Sequence, residues 1–258
     1  MVTIIIQGGI NQYLIKKIMK ILNRKYHITS SLAIIIILLF TSCYGPFVEG
    51  DGNVVERNRD VSGFNKIEIS GGYKVYISEA NRESLRIVAD ENLHEHIVTK
   101  VINNRLIIEN NINFRKAKKR EIYLEVKSID NIFLSGAIDF KGKTVIKAET
   151  LNIDANGAVE IDLEVRANKI ISEFSGACEI YLSGKAEKVS IRASGGVEIE
   201  AYELIADRFN LIISGAGYAA VNAREELDVR VSGAAKVRYK GNPVVRKNIR
   251  GAASLRKY

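Results

Sequence analysis

The chain is poor in the residues that most often carry chemistry. Its 258 residues include no Trp, two Pro, two Met, two Cys and three His. Beyond the N-terminal segment only His94 and His96 remain, so no His is placed to activate a Ser or Cys nucleophile, and triad chemistry is not expected. Two Cys cannot build a disulfide framework. The unbroken apolar run Leu32–Phe40 is nine residues long, too short to cross a bilayer as a helix. No Gly-rich stretch is followed by Lys-Ser/Thr and a helical pattern, which excludes a phosphate loop.

The formal charge of +8 suggests an anionic partner, but five basic residues (Lys16, Lys17, Lys20, Arg24, Lys25) and no acid lie within residues 1–42. Taking those five from the 38 Lys and Arg leaves 33 against 30 acids, a net of +3. No basic stripe with interleaved aromatics appears, so no nucleic-acid partner is expected.

The N-terminus reads as a targeting segment. Lys20, Arg24 and Lys25 precede the apolar run Leu32–Phe40, and Thr41, Ser42 and Cys43 follow it. The Phe-Thr-Ser-Cys ending resembles the lipobox of bacterial lipoproteins, with Phe40 in place of the usual Leu. That resemblance implies cleavage before Cys43, lipidation of Cys43, and attachment to a membrane through the lipid. Met19 opens a signal of ordinary length, so residues 1–18 read as upstream sequence from a misassigned start. Asp is absent after Cys43; by resemblance to lipoproteins of this kind, that favours the outer membrane or cell surface, with the periplasmic face also open. Residues 44–52 hold Gly45, Pro46, Gly50 and Gly52 and read as a flexible tether.

What the chain has in quantity is alternation and periodic glycine. Short period-2 runs over residues 54–128 read as strands: 67–69, 73–77, 85–89, 97–101, 106–108 and 122–126. Asn103-Asn104 reads as a turn, residues 90–95 as one helical turn, and the basic stretch 114–120 as a solvated loop or a contact for anionic glycans or headgroups. From Ile129 a tripeptide recurs, mostly Ser-Gly-Ala, centred on Gly136, Gly157, Gly176, Gly195, Gly215, Gly233 and Gly251, at spacings of 18–21 residues. Positions two and four before and after each glycine are apolar, except at Ser172, Gly217 and Lys247. Period-2 apolarity on both sides of a repeated glycine predicts two strands facing one interior and joined at a corner, stacked repeat on repeat. The glycines are expected at positive φ. The predicted class is all-β, a parallel β-helix with irregular N-terminal turns that include Ser70-Gly71-Gly72. The chain thus divides into a signal segment (1–42), a lipidated Cys and tether (43–53), an irregular β region (54–128) and regular repeats (129–258).

A lipobox, the entry Val-Ser-Gly-Phe-Asn-Lys-Ile (61–67), the strand Gly-Gly-Tyr-Lys-Val-Tyr-Ile (71–77) and stacked Ser-Gly-Ala repeats together resemble the head GIN domain family, adhesin-labelled lipoproteins common in Bacteroidetes. The resemblance covers residues 54–255 and implies a right-handed β-helix and an adhesive role. It transfers no catalytic or binding residue and implies no cofactor.

Four acids stand three residues after a glycine: Asp139, Glu160, Glu179 and Glu198. They are expected to form an outward ladder, either a solvated face screened by cations such as Lys188 and Arg192, or a stripe for a cation or sugar. His94 and His96, on one side of a strand, read as a polar turn or two metal ligands lacking a third. Cys178 falls on an inward position and reads as a buried thiol. The expectation is a non-enzymatic envelope lipoprotein binding glycan or matrix. A polysaccharide lyase on the same fold and a purely structural protein are the alternatives.

Overall fold

The computed structural model describes residues 46–258. Twelve strands account for nearly all of them, arranged mainly in one mixed sheet. The N-terminal part contains β1 (Phe47–Glu49), β2 (Val54–Arg59), β3 (Lys66–Glu79), β4 (Ser84–Asp90), β5 (Ile97–Ile102) and β6 (Arg105–Asn110). It continues with β7 (Asn113–Arg115), β8 (Arg120–Val126) and β9 (Asn131–Gly142). A single extended run, β10 (Ile146–Lys240), then occupies 95 residues, and β11 (Val244–Gly251) and β12 (Ser254–Lys257) end the chain. Ile, Val and Leu at alternate positions suit a pleated strand with one buried face, which accounts for the unbroken extended run.

Successive repeats pair in parallel, in register with the glycine motif. Ile132, Leu134, Gly136, Ile138 and Phe140 stand opposite Ile153, Ala155, Gly157, Val159 and Ile161. At the far end Gly233 stands opposite Gly251. The same register extends backward, since Ser70 and Gly71 of β3 face Ser135 and Gly136 of β9. Residues 66–79 are therefore a full member of the repeat series. Among the inward positions flanking the glycines from 136 to 233, all but Gly217 are buried, Ser172 included, and in the last repeat Ile249, Ala253 and Leu255 are half-covered. Lys247, where the pattern asks for an apolar residue, is exposed at the uncovered end of the stack.

A further side of each repeat is less regular in sequence. Leu163, Val165 and Ala167 in one turn and Ala201, Leu204 and Ala206 in another are buried and close the interior. The variation in repeat length falls here, while the positions within four residues of each glycine keep their spacing.

The other end is closed differently. Strand β2 pairs antiparallel with β4, β4 with β8, and β5 with β6. Residues 54–128 are thus more than irregular turns of one repeat; β6 and β8 pair in parallel with the first repeat, β3, and the antiparallel strands β5, β4 and β2 continue the sheet beyond them. The Asn103–Asn104 turn has φ of 51° and 61°, and a 3₁₀ helix spans Glu91–His96. The stretch expected to be a flexible tether is tied down from Phe47 onward, because β1 pairs in parallel with β7 and the Arg115 guanidinium sits 3.9 Å over the Phe47 ring. Within the stretch 114–120, expected as a loop, residues 114–115 belong to β7 and Arg120 begins β8.

The corner glycines answer to two constraints. Gly157 and Gly176 have φ of 117° and 104°, outside the range of L side chains. A Cβ on Gly157 would fall closer than 3.0 Å to the carbonyl oxygen of Gly136, and one on Gly176 equally close to that of Gly157. Glycine is required by the backbone of the preceding repeat as well as by its own dihedral angle. Gly196 has open space around its Cβ position. Gly176→Ala should lower stability by about 1–3 kcal/mol in urea denaturation. Gly196→Ala should stay within about 0.5 kcal/mol of the parent. Equal losses at the two sites would refute the close-approach argument.

Candidate functional site

The glycine corner separates two outward faces. On the side that follows it, the strand pleat turns every second residue outward, and the in-register stacking aligns those residues from repeat to repeat. Asp139 and Glu160 are direct cross-strand partners, and Lys74 of β3 is the partner of Asp139 on its other side. Glu179 lines the same groove as these three residues. Glu198 continues the ladder: burial first, and then the Glu198 charge, push the carboxyl of neighbouring Glu200 up. Burial followed by the charges of Glu179, Glu198 and Glu160 likewise pushes the Tyr181 hydroxyl up.

The cation that screens the ladder is Lys141. Its Nζ lies 3.2 Å from Asp139 and 3.3 Å from Glu160, and these carboxylates raise its pKa, Asp139 first. Lys141 stands two residues after Asp139, on the same outward face, so the period-2 rule could have found it. Lys188 and Arg192, expected to screen the ladder, instead line a groove with Ser190 and Asn210 on the side before the corner. The lower half of the ladder is neutralised, whereas Glu179 and Glu198 have no ion-pair partner among the described residues.

A groove of about 680 Å³ runs beside the ladder. Ala137, Ala158 and Ala177, stacked from successive repeats, form its floor, and Lys118, Lys119 and Arg120 form the opposite wall. The acids and the basic stretch, well apart in sequence, line one cleft in the fold. Asp90 holds the wall in position. Its side chain is 0% exposed and accepts hydrogen bonds from the backbone N–H groups of Gly52 (3.0 Å), Lys118 (3.0 Å) and Lys119 (3.1 Å). Burial alone raises its pKa, but the N–H donors outweigh burial and hold the carboxyl below its ordinary value.

The other candidates stand apart. His94 is buried, with Nε2 3.1 Å from the Val55 carbonyl, and burial followed by nearby Arg57 and Arg59 lowers its pKa despite that hydrogen bond. His96 Nδ1 lies 3.1 Å from Asn111 at the surface. The two lie on a 3₁₀ helix, where residues two apart do not share a face, so the expected strand geometry does not apply. No cluster of His, Cys, Asp and Glu able to hold a metal occurs among the described residues. Cys178 is buried, its Sγ lies 3.6 Å from the Ser175 carbonyl, and burial raises its pKa. Cys43 and the signal segment 1–42 lie outside the described residues. No helix among the described residues is long and apolar enough to cross a membrane.

The fold and the groove define an all-β repeat domain whose charged columns are presented on fixed outward faces. Residues 63–243 match the family model described as "Putative auto-transporter adhesin, head GIN domain", and the chain belongs to that family. The fold is shared with solved structures. A putative adhesin from Bacteroides fragilis superposes with a TM-score of 0.77 at 22% identity, covering 82% of this chain and 100% of that one. A putative lipid binding protein from Parabacteroides distasonis gives 0.67 at 21% identity, over 83% of this chain and 100% of its own. A putative adhesin from Parabacteroides merdae gives 0.62 at 18%, with the same coverage of 83% and 100%. No curated protein matches the chain.

Asp90→Ala should cost about 3 kcal/mol at pH 7, because it leaves several backbone donors unpaired in a buried place. The folded pKa of Asp90 is depressed, so its stabilisation is complete above the unfolded value, about 3.9, and disappears as pH falls through the lower folded value. Denaturation of parent and variant from pH 7 downward should show the gap between them closing below about pH 4. A constant gap would show that Asp90 acts through packing alone.

Proposed function

We propose that this chain is an exported, lipid-anchored protein of the cell envelope that binds extracellular polymers without turning them over. Its domain is read as a right-handed parallel β-helix on which each repeat contributes one residue to every surface column. The parallel register of β9 on β10 and of β10 on β11 and β12 supports this architecture, and so does the approach of each corner glycine to the one before it. Residues 1–42 and Cys43 support the export and the anchor, and the adhesin description of the family supports a role at the cell surface.

One observation carries the binding reading. The carboxylates at 139 and 160 are clamped by a single lysine in an open cleft, an arrangement suited to holding the hydroxyl or cationic groups of a ligand. A polymer lying along the stack meets equivalent groups at the spacing of the strands, about 4.8 Å. Affinity then comes from repetition of weak contacts rather than from one deep pocket.

Two measurements test the reading. Cys43→Ser should move the protein from the membrane to the soluble fraction of cells; continued membrane association would remove the lipid anchor. Purified protein incubated with uronate polymers should release no unsaturated product absorbing in the ultraviolet. Release that Glu160→Gln abolishes would replace binding with lyase chemistry.

A further inference from the structure

The net charge of +3 beyond residue 42 hides a separation of charge along the chain. Residues 149–207 hold twelve acids against five Lys and Arg, and residues 208–258 hold eleven Lys and Arg against three acids (Glu225, Glu226 and Asp228). Stacking turns this sequence gradient into a spatial one, and part of it gathers on the face that precedes the glycine corner.

That face carries a groove of about 480 Å³ whose rim includes Lys169, Lys188, Arg192, Arg208, Arg230 and Arg246. These cations come from different repeats. Lys169, Lys188 and Arg208 each stand seven residues before a corner glycine and so occupy one column, while Arg192 and Arg230 each stand three before. The hydrogen bond from Asn210 Nδ2 to Ser190 Oγ, 3.1 Å, shows that equivalent residues of adjacent repeats are stacked here. A second groove of about 320 Å³ shares Ile212 and Arg230 with the first and continues it to Ser214, Ser232 and Arg250. Together they extend from the repeat of Gly176 to that of Gly251, about 19 Å at one strand spacing per repeat.

Two acids stand in the groove, Glu226 and Asp228, with Asp228 engaged by Arg230 at 3.1 Å, and Asp154 and Glu173 line the adjoining groove that Arg192 also borders. Arg208 lies 3.9 Å from Glu225. Lys169, Lys188, Arg192, Arg246 and Arg250 have no carboxylate partner within 4.0 Å among the described residues. Like charges in neighbouring strands destabilise a sheet unless something between them is negative. Guanidinium forks at this density match sulfate, phosphate and carboxylate groups in bidentate geometry.

The surroundings narrow the class of polyanion. The aromatic residue lining the groove, Phe209, is 1% exposed, so bases have no platform to stack on. Ser190, Asn210, Ser214 and Ser232 place hydroxyl and amide groups between the cations, suited to sugar hydroxyls. The cleft on the other side of the corner sets carboxylates beside Lys118, Lys119 and Arg120, so its charge is mixed, whereas cations outnumber acids on this face.

We propose that this face binds a linear anionic glycan, laid along the repeat stack, through oxyanion groups held by Lys188, Arg192, Arg230 and Arg246. The inference deepens the binding reading above by naming a ligand class. It concerns a different face from the ladder, and it stands whether or not Cys43 anchors the protein, because it is tested on purified material.

The test uses full-length protein in detergent with four probes: heparin, polygalacturonate, dextran and duplex DNA. Heparin should bind, and binding should weaken at least about tenfold as salt rises from about 0.1 to 0.5 M, as screening shortens the reach of the charges. Binding of polygalacturonate as well would assign the site to oxyanions in general, and binding of heparin alone would assign it to sulfate. Lys188→Glu with Arg192→Glu should weaken heparin binding about tenfold or more, and the milder Lys188→Gln with Arg192→Gln should fall between that variant and the parent. Lys143→Glu, at an exposed lysine outside the groove, should change affinity less than about twofold. The inference is overturned if no anionic glycan binds, if dextran binds equally well, or if Lys143→Glu costs as much as the groove variants. DNA binding as tight as heparin would assign the face to nucleic acid instead. Thermal unfolding of each variant separates a lost contact from a lost fold, and loss of affinity by the Gln pair without a change in unfolding temperature is the result that the inference requires.

Discussion

Each corner glycine lies so close to the carbonyl oxygen of the glycine one repeat earlier that no side chain fits between them. This contact is a backbone constraint, and the rest of the structure is built outward from it. It sets the register of one repeat on the next. Register in turn decides which residues point inward, because a slip of one position would reverse every side chain. With the glycines aligned from 71 to 251, the positions two and four away on either side are locked into the interior. The apolar columns then stabilise what the backbone contact has positioned.

The same alignment that orders the core also orders the surface. A β-strand alternates faces, so a residue beside an inward position is outward in every repeat. Asp139 and Glu160 become neighbours although 21 residues separate them in sequence, and Lys141 reaches both. Lys188 and Arg192, four residues apart in the chain, join Arg230 and Arg246 on one face. In this chain a ladder of acids follows the corner and a cluster of cations precedes it, each with some opposite charge beside it.

The two ends of the stack are treated differently. Strands β6 and β8 pair with the first repeat and carry the antiparallel strands β5, β4 and β2, and Asp90 accepts hydrogen bonds from the backbone of Gly52, Lys118 and Lys119 at that end. Among the described residues no strand pairs with the outer side of the last repeat. Ile249, Ala253 and Leu255 are half-buried there, and the exposed Lys247 interrupts the inward column. A charge at an inward position of an open strand opposes the addition of a further strand.

The repeat, its glycines and the apolar columns around them were legible in the sequence, because alternation and periodicity are local and survive a register written from glycine to glycine. Val165 and Ala167, on the side where repeat lengths vary from 18 to 21, are buried without a constant residue type at their offset from the glycine, since position eight holds Val165, Gly184, Glu203 and Ala223 in successive repeats. The pairing of Phe47–Glu49 with β7 was also hidden, because Gly and Pro around a short strand look like a tether until a partner strand is in place. The acids of the ladder could be listed from the sequence. Lys141, two residues after Asp139 on the same outward face, was within reach of the period-2 rule, whereas the placing of Lys188 and Arg192 across the corner from the ladder needed the structure. The sequence alone determined the interior and the repeat, because these depend on a period. Only the tertiary structure decided which charges meet, because outward columns assemble residues that no local pattern connects.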